Sequence, residues 1–136
     1  MNRKLAIVAG LFVAMGPGLL AQEIVAMHAN IPFDFRVGDK LVPSGTYLIQ
    51  ANGTAITLRE EDGRVVAVSF MTIPESRLAP LADGKLVFNR YGNDYFLASI
   101  WTPDSKEGRS LPQTRQEREV ARRGAGLVQT AAVQAK

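Results

Sequence analysis

Apolar and polar residues alternate along most of the chain between residues 24 and 102, which is the pattern of strands with one buried face. In IPFDFRV, residues 31–37, the isoleucine, both phenylalanines and the valine share one face, and the aspartate and arginine lie opposite. Gly38-Asp39 and Pro43-Ser44-Gly45 then predict two turns. The alternation resumes in TYLIQA, residues 46–51, so this part of the chain predicts short strands joined by tight turns.

Three dipeptides between alternating segments are typical of two-residue hairpin loops: Asn52-Gly53, Asp62-Gly63 and Gly92-Asn93. Asn-Gly and Asp-Gly tolerate positive φ at both loop positions, as in type I′ turns, whereas glycine in first place suits type II′. The flanking segments are rich in valine, isoleucine, threonine and aromatic residues, which favour pleated sheets. Together they predict an antiparallel meander, with a first strand near residues 24–30.

The last predicted strand, DYFLASIW at residues 94–101, carries apolar side chains on both faces. Strict alternation places Phe96, Ala98 and Ile100 on one face and Tyr95, Leu97 and Trp101 on the other. The segment PESRLAPLADG, residues 74–84, has two prolines and no clean period, and it is long enough to cross between sheets. We therefore predict an all-β fold of about seven or eight strands built on hairpins, an antiparallel β-sandwich in first place and a small barrel in second.

The composition changes after residue 101. TPDSKEGRS, residues 102–110, reads as a polar connection, and LPQTRQEREVARRG, residues 111–124, predicts one short C-terminal α-helix. A capping box begins at Ser110 or at Thr114, and Gly124 ends the helix. Residues 125–136 have no strong period and predict a disordered tail.

The N-terminal segment has the pattern of a secretory signal peptide. Arg3 and Lys4 precede an apolar run over residues 5–15, a Gly-Pro-Gly break follows at 16–18, and Ala21 offers a small residue for cleavage. A membrane anchor is the alternative, but a spanning helix needs roughly 20 apolar residues. We therefore expect a secreted or periplasmic protein without a transmembrane segment after cleavage. The predicted division is signal peptide 1–21, β-domain 22–110, helix 111–124 and disordered tail 125–136.

Removal of the signal peptide changes the charge balance. The full chain has 16 Lys and Arg against 13 Asp and Glu, and the signal peptide takes Arg3 and Lys4 with it, which leaves 14 against 13 and a net charge of +1. Such a balance gives nucleic-acid binding no support. The chain has no cysteine, so disulfides are excluded and the core alone must hold the domain.

The sequence offers little catalytic chemistry. His28 is the only histidine, so a zinc site lacks further histidine or cysteine ligands, and any Ser-His-Asp arrangement would have to use it. The acids at residues 60–62 cluster at a hairpin tip, where solvated turn residues are the simplest interpretation. The sequence has neither a glycine-rich phosphate loop nor a nucleophile elbow. We expect no enzyme activity, no catalytic residues, no metal and no cofactor.

The candidate ligand-binding residues lie on or beside the last hairpin and comprise one arginine and three aromatic residues: Arg90, Tyr91, Tyr95 and Trp101. The predicted turn places Arg90 across from Tyr95 and Tyr91 across from Asp94, and an arginine over a tyrosine ring is a favourable pair. Together with Trp101 these rings could form a platform for a sugar or a peptide. The alternative is ordinary packing in the core and at an edge, and burial of the rings would favour that alternative.

Four segments carry a resemblance that covers about residues 29–123: IPFDFRVGDKLVPSGTY, EDGR, GKLVFNRYGNDYFLASIWTP and GRSLPQTRQEREVAR. They resemble a group of small secreted proteins with signal peptides that recurs in Acidobacteria. This chain has Ser44 where alanine is usual in the Pro-Ala-Gly corner, a change that costs the turn nothing. The resemblance implies secretion and fold, and it implies no activity, cofactor or site residue.

The sequence predicts a non-enzymatic, secreted or periplasmic β-domain that serves as an interaction module or an envelope-associated structural module. Its expected partner is an envelope protein or a glycan, and no nucleic acid. One alternative is a carbohydrate-binding or small-ligand-binding module that uses the aromatic residues of the last hairpin. A further alternative is an enzyme that acts on polysaccharide, for which the sequence offers only scattered acids.

Overall fold

A computed structural model describes residues 25–69, 71–124 and 128–136 of the chain. The predicted signal peptide, residues 1–21, lies outside them. The prediction of an all-β fold with one short helix near the C-terminus is confirmed for the described residues. The strands are β1 (Val25–Ile31), β2 (Phe35–Val37), β3 (Lys40–Val42), β4 (Gly45–Asn52), β5 (Ala55–Glu60), β6 (Val65–Ser69), β7 (Ile73–Leu81), β8 (Gly84–Tyr91), β9 (Asp94–Trp101), β10 (Ser105–Ser110) and β11 (Gln129–Ala135), and the helix is α1 (Arg115–Arg123).

One continuous sheet has the strand order β3-β2-β9-β8-β11-β1-β4-β5-β6. Its two ends come near each other, and β2 and β3 at one end contact β6 at the other. The sheet is therefore nearly closed and barrel-like. Its pairs are antiparallel except β2 with β9, which run parallel. Strand β10 pairs with the C-terminal part of β9 and also with β7, so β7 and β10 extend the sheet beyond the barrel. We call these two strands the arm.

Two of the predicted hairpin turns have glycine at the first loop position. Gly92-Asn93 forms the loop of β8 and β9, as predicted, while the loop of β4 and β5 is Gly53-Thr54, one residue later than predicted. The φ angles of Gly53 and Gly92 are +60° and +63°, and the second loop residues have no positive φ, as in type II′ turns. The predicted two-residue loop at Asp62-Gly63 is instead a four-residue connection, 61–64.

The core lies inside the curled sheet. The predicted inner face of residues 31–37 is confirmed, because Ile31, Phe35 and Val37 are buried and Phe33 packs against the same cluster. Burial of each large apolar side chain contributes about 1.5–3 kcal/mol. The other members of the cluster come from nearly every strand of the barrel: Met27, Ala29, Val42, Tyr47, Ile49, Ala51, Ile56, Leu58, Ala67, Leu86, Phe88, Leu97, Ile100 and Ala135.

The prediction of the two faces of β9 is wrong beyond residue 97, because a β-bulge interrupts the alternation. Leu97 pairs with Phe88 and Ser99 pairs with Val87, so Ala98 is the extra residue. Its carbonyl accepts a hydrogen bond from the Leu111 N–H at 2.8 Å. As a result Leu97 and Ile100 belong to the core cluster, whereas Phe96 and Trp101 are buried outside it, on the outer face of the sheet.

Two predictions for the C-terminal part of the domain are corrected. Residues 129–135, predicted as part of a disordered tail, form β11, which pairs with β8 over seven residues and with β1 at Ala29 and Ala135. Ala135 is buried in the core, and the backbones of Lys136 and His28 exchange hydrogen bonds of 2.6 and 2.9 Å. The connection predicted at residues 102–110 contains β10, and the helix begins at Arg115 rather than at residue 111.

Candidate functional site

Tyr91, the first of the predicted site residues, fastens helix α1 to the sheet. Its hydroxyl donates a hydrogen bond of 2.9 Å to Glu117 Oε2, and Asn89 Nδ2 donates to the same oxygen at 3.0 Å. Tyr91 is 8% exposed and Glu117 is 5% exposed. Burial, followed by the hydrogen bond to Glu117, raises the pKa of Tyr91 above its ordinary value of 10.0. Thr114 Oγ1 accepts from the Glu117 N–H at 3.2 Å and caps the helix.

Trp101 is covered by the arm. It is 8% exposed, and the guanidinium carbon of Arg77 on β7 lies 4.4 Å from the centre of its ring. Gly108 on β10 is directly opposite in the register, and a side chain there would strike both the indole and the Ile100 carbonyl oxygen, 2.7 Å from the added Cβ. The indole N–H donates to Ser99 Oγ at 3.2 Å. Trp101 therefore fixes the arm and presents no ring face to solvent.

The predicted pairing of Arg90 with Tyr95 is confirmed, as is that of Tyr91 with Asp94. The guanidinium carbon of Arg90 lies 5.4 Å from the Tyr95 ring centre, and the same ring stacks on Phe33 at 3.8 Å. Arg90 Nε also donates to the Gly92 carbonyl at 2.8 Å. The four predicted residues are thus divided among a helix contact, an arm contact and a stacked pair, and the structure does not bring them together on one exposed platform.

A cleft of about 670 Å³ opens at the end of the barrel between the β4–β5 turn and the arm. We call it the mouth cleft. Its floor is made of the buried Ala51 and Ile100. Arg109 pairs with Ile100 on one side and with Pro74 on the other, so the arm continues the inner face of the barrel. The lining residues are Ala51, Gly53, Pro74, Glu75, Ser76, Ile100, Thr102, Pro103, Ser105, Glu107, Gly108 and Arg109.

Local hydrogen bonds hold both walls of the mouth cleft. The N–H and hydroxyl of Thr72 donate to the Thr54 carbonyl at 3.1 and 2.5 Å, which ties the start of the arm to the β4–β5 turn. The N–H and hydroxyl of Thr102 donate to the Glu107 carbonyl at 3.3 and 3.1 Å. Ser105 Oγ accepts from the Glu107 N–H at 3.0 Å. Hydrogen bonds to backbone carbonyl and N–H groups therefore hold the shape of the cleft.

The side chains of the mouth cleft suit binding better than catalysis. Arg109 is half-buried and has no hydrogen bond or ion pair with any residue that the structure describes, so its five N–H donors are available. Glu107, which shares the face of Arg109 on β10, adds carboxylate oxygens at the exposed rim. Within the described residues, no group of three His, Asp or Glu side chains could hold a metal ion. His28, which any Ser-His-Asp arrangement would have to use, is exposed on β1.

The mouth cleft could not be predicted from local sequence because its residues come from three separate segments, 51–53, 74–76 and 100–109. Residues 102–110 have the composition of a surface connection, and only their pairing with β7 turns them into a wall. No local pattern indicates that pairing, since the two prolines of β7 argue against a strand.

The arm also carries apolar side chains in solvent. Leu78 is 100% exposed, and Ile73 and the preceding Met71 are largely exposed. Four residues of β7, 77–80, face the single residue Lys106 of β10, so this part of β7 bulges away from its partner. In the part of the chain that the structure describes, β7 pairs with β10 alone, which leaves its other edge open.

The helix that the structure describes is too short and too polar to cross a membrane. No protein-family model, curated protein or solved structure matches the chain, so any functional assignment rests on the geometry of the arm and the mouth cleft.

Proposed function

We propose that the protein is a non-enzymatic interaction module of the periplasm or the secreted fraction, and that the arm carries its contact with an envelope protein. The observation behind this proposal is the exposure of Leu78 and Ile73 on a strand with one open edge, and of Met71 just before that strand. Scattered exposed apolar residues are common, but three of them on and beside a strand with an open edge are typical of a binding surface. The basic and apolar N-terminal segment supports the location.

The partner segment is extended and adds to the open edge of β7, with apolar side chains against Ile73 and Leu78. Main-chain hydrogen bonds supply affinity in this mode, and side-chain pockets supply specificity. Pro74 and Pro80 each remove one N–H donor from β7, which also limits uncontrolled pairing between copies of the chain. Each apolar side chain that becomes buried contributes about 1.5–3 kcal/mol to binding.

For the architecture, we propose a small barrel, the second of the two predicted forms. The support is that, among the residues that the structure describes, one continuous path of strands surrounds a single core cluster, with no second sheet packed face to face. In this arrangement the arm is an appendage at the barrel mouth, so changes in the arm leave the core cluster intact.

A photo-crosslinking amino acid in place of Leu78 tests the arm. In envelope extracts of the native host we expect one discrete adduct at position 78 and none at Asn93, an exposed control position on the β8–β9 turn. Ile73→Ser combined with Met71→Ser is expected to abolish the adduct at 78, and a peptide from the captured protein is expected to bind the purified protein. Equal labelling at Asn93, or an adduct that survives the serine substitutions, would contradict the proposal.

A polysaccharide assay tests the competing enzyme class. We expect the purified protein to release no reducing ends from peptidoglycan or envelope glycans. Release that is lost in Glu75→Gln or Glu107→Gln would overturn the proposal, because these carboxylates line the mouth cleft.

A further inference from the structure

We propose that the mouth cleft binds a small carboxylate that also carries an apolar group and amide N–H donors, the combination found at the carboxyl end of a peptide. This site is separate from the open edge of the arm, because the cleft lies on the inner side of the sheet. The cleft offers one cation, one apolar floor and one carboxylate acceptor.

Arg109 supplies the cation. A guanidinium presents a planar fork that matches the two oxygens of a carboxylate, and such charge-assisted pairs are roughly twice as strong as neutral hydrogen bonds. Arg109 is half-buried and its donors have no partner among the described residues. Its register with Ile100 and Pro74 places it on the inner wall, above the floor. An incoming carboxylate would satisfy donors that otherwise meet only solvent.

The floor and the adjoining wall supply the apolar part. Ala51 and Ile100 belong to the core cluster, and Pro74 and Pro103 line the cleft beside them. A volume of about 670 Å³ falls within the range of about 300–1,000 Å³ that is usual for small-molecule sites. The mouth of a small β-barrel is also a common place for such sites. An apolar side chain next to the carboxylate therefore has room and matching surface.

Glu107 decides which carboxylates fit. It is two residues from Arg109 on the same strand and shares its face, whereas Glu75 is opposite Gly108 and lies on the face of Trp101. The Glu107 oxygens accept hydrogen bonds from amide N–H groups of a ligand. With one arginine beside one glutamate the cleft has no net charge, so it favours a monocarboxylate with N–H donors over a dianion such as phosphate.

A pair of matched probes tests the proposal: N-acetyl-alanyl-leucine and its C-terminal carboxamide, titrated into the ¹⁵N-labelled protein. We expect the carboxylate to shift the backbone amides of residues 51–53 and 104–109 in a saturable way. The carboxamide is expected to bind about tenfold more weakly or worse, since it loses the charged pair with Arg109. Glucuronate and inorganic phosphate serve as the sugar-acid and dianion arms, and both are expected to bind more weakly than the dipeptide.

Variants assign the effect to Arg109. Arg109→Gln is expected to lower the affinity for the carboxylate by about tenfold and to leave that for the carboxamide unchanged, while Arg109→Lys, which keeps the charge without the fork, lies between. Arg123→Gln, an exposed helix position, is the matched control and is expected to bind as the wild type does. Equal affinities for the two probes, shifts that map outside the cleft, or tighter binding of glucuronate or phosphate would each overturn the proposal.

Discussion

Glu117 offers the sharpest test of how the outer layer of the domain is held. Its Oε2 atom accepts hydrogen bonds from Tyr91 at 2.9 Å and from Asn89 at 3.0 Å, and the residue is 5% exposed. Replacement by alanine removes both acceptor contacts and leaves the tyrosine hydroxyl without its carboxylate. An unsatisfied buried polar group costs about 1–3 kcal/mol, and a hydrogen bond to a charged group contributes about 1.5–3 kcal/mol.

The loss of stability expected for Glu117→Ala follows from these two energies. Because the two hydrogen bonds share one oxygen and overlap in their energy, we expect Glu117→Ala to lower the free energy of unfolding by about 2–4 kcal/mol. Glu117→Gln retains an acceptor oxygen of the same reach and loses only the charge, including its favourable place in the first turn of α1. We expect that variant to cost about 1 kcal/mol.

Urea denaturation at pH 7, followed by far-UV circular dichroism, measures the free energy of unfolding of the wild type, of Glu117→Ala and of Glu117→Gln. Glu119→Ala is the matched control, because Glu119 lies on the same helix and makes only an exposed pair with Arg115 at 3.4 Å. Its expected cost is about 0.3–0.5 kcal/mol. A Glu117→Ala variant within about 0.5 kcal/mol of the wild type would refute the reasoning. Equal losses for alanine and glutamine would show that charge, rather than the acceptor oxygen, fastens the helix.

Three further predictions concern the tyrosine, the arm and the last strand. The raised pKa of Tyr91 means that its contribution is fully present below pH 10 and is lost as the pH rises through the folded-state value, so Tyr91→Phe is expected to be less stable than the wild type at pH 7, and the difference in urea titrations is expected to shrink as the pH rises above 10. Gly108→Ala is expected to cost about 1–3 kcal/mol by overpacking against Trp101, whereas Gly124→Ala, which meets only ordinary contacts, is expected to change the unfolding free energy little. A chain that ends at residue 128 lacks β11, so β1 and β8 lose a shared partner, and we expect loss of the cooperative thermal transition together with binding of a hydrophobic dye.

The parts of the fold that could be predicted depend on neighbours in sequence. The alternation in residues 31–37 and the Gly92-Asn93 turn are complete within a few residues, and a strand or hairpin built from them needs no distant information. Helix α1 can also be predicted locally, from Thr114 as its N-cap and from the spacing of its charged residues. These elements appear where the sequence places them, to within a few residues.

Strand β11 could not be predicted because its stability comes from its partners. Its sequence QTAAVQA is rich in alanine and glutamine, which do not favour strands by themselves. It is a strand because β1 and β8 both offer open edges, one on each side, and because Gly84, opposite Ala135, has no side chain that would strike the Ala135 carbonyl oxygen. Such a fit depends on Gly84 and Ala29, which lie 51 and 106 positions before Ala135.

The aromatic residues of the last hairpin show that a sequence can indicate a cluster of rings without indicating what covers them. A tyrosine and a tryptophan near a turn attract a binding interpretation, yet burial of Tyr91 under α1 and of Trp101 under the arm makes both of them supports. The bulge at Ala98 decides this outcome, because it turns Trp101 to the outer face, where Gly108 and Arg77 cover it. The exposed groups then lie on helix α1 and on the arm, which these two rings hold in place. We therefore expect substitution of Trp101 to weaken the binding that we propose at the arm and in the mouth cleft, although its ring contacts neither proposed ligand.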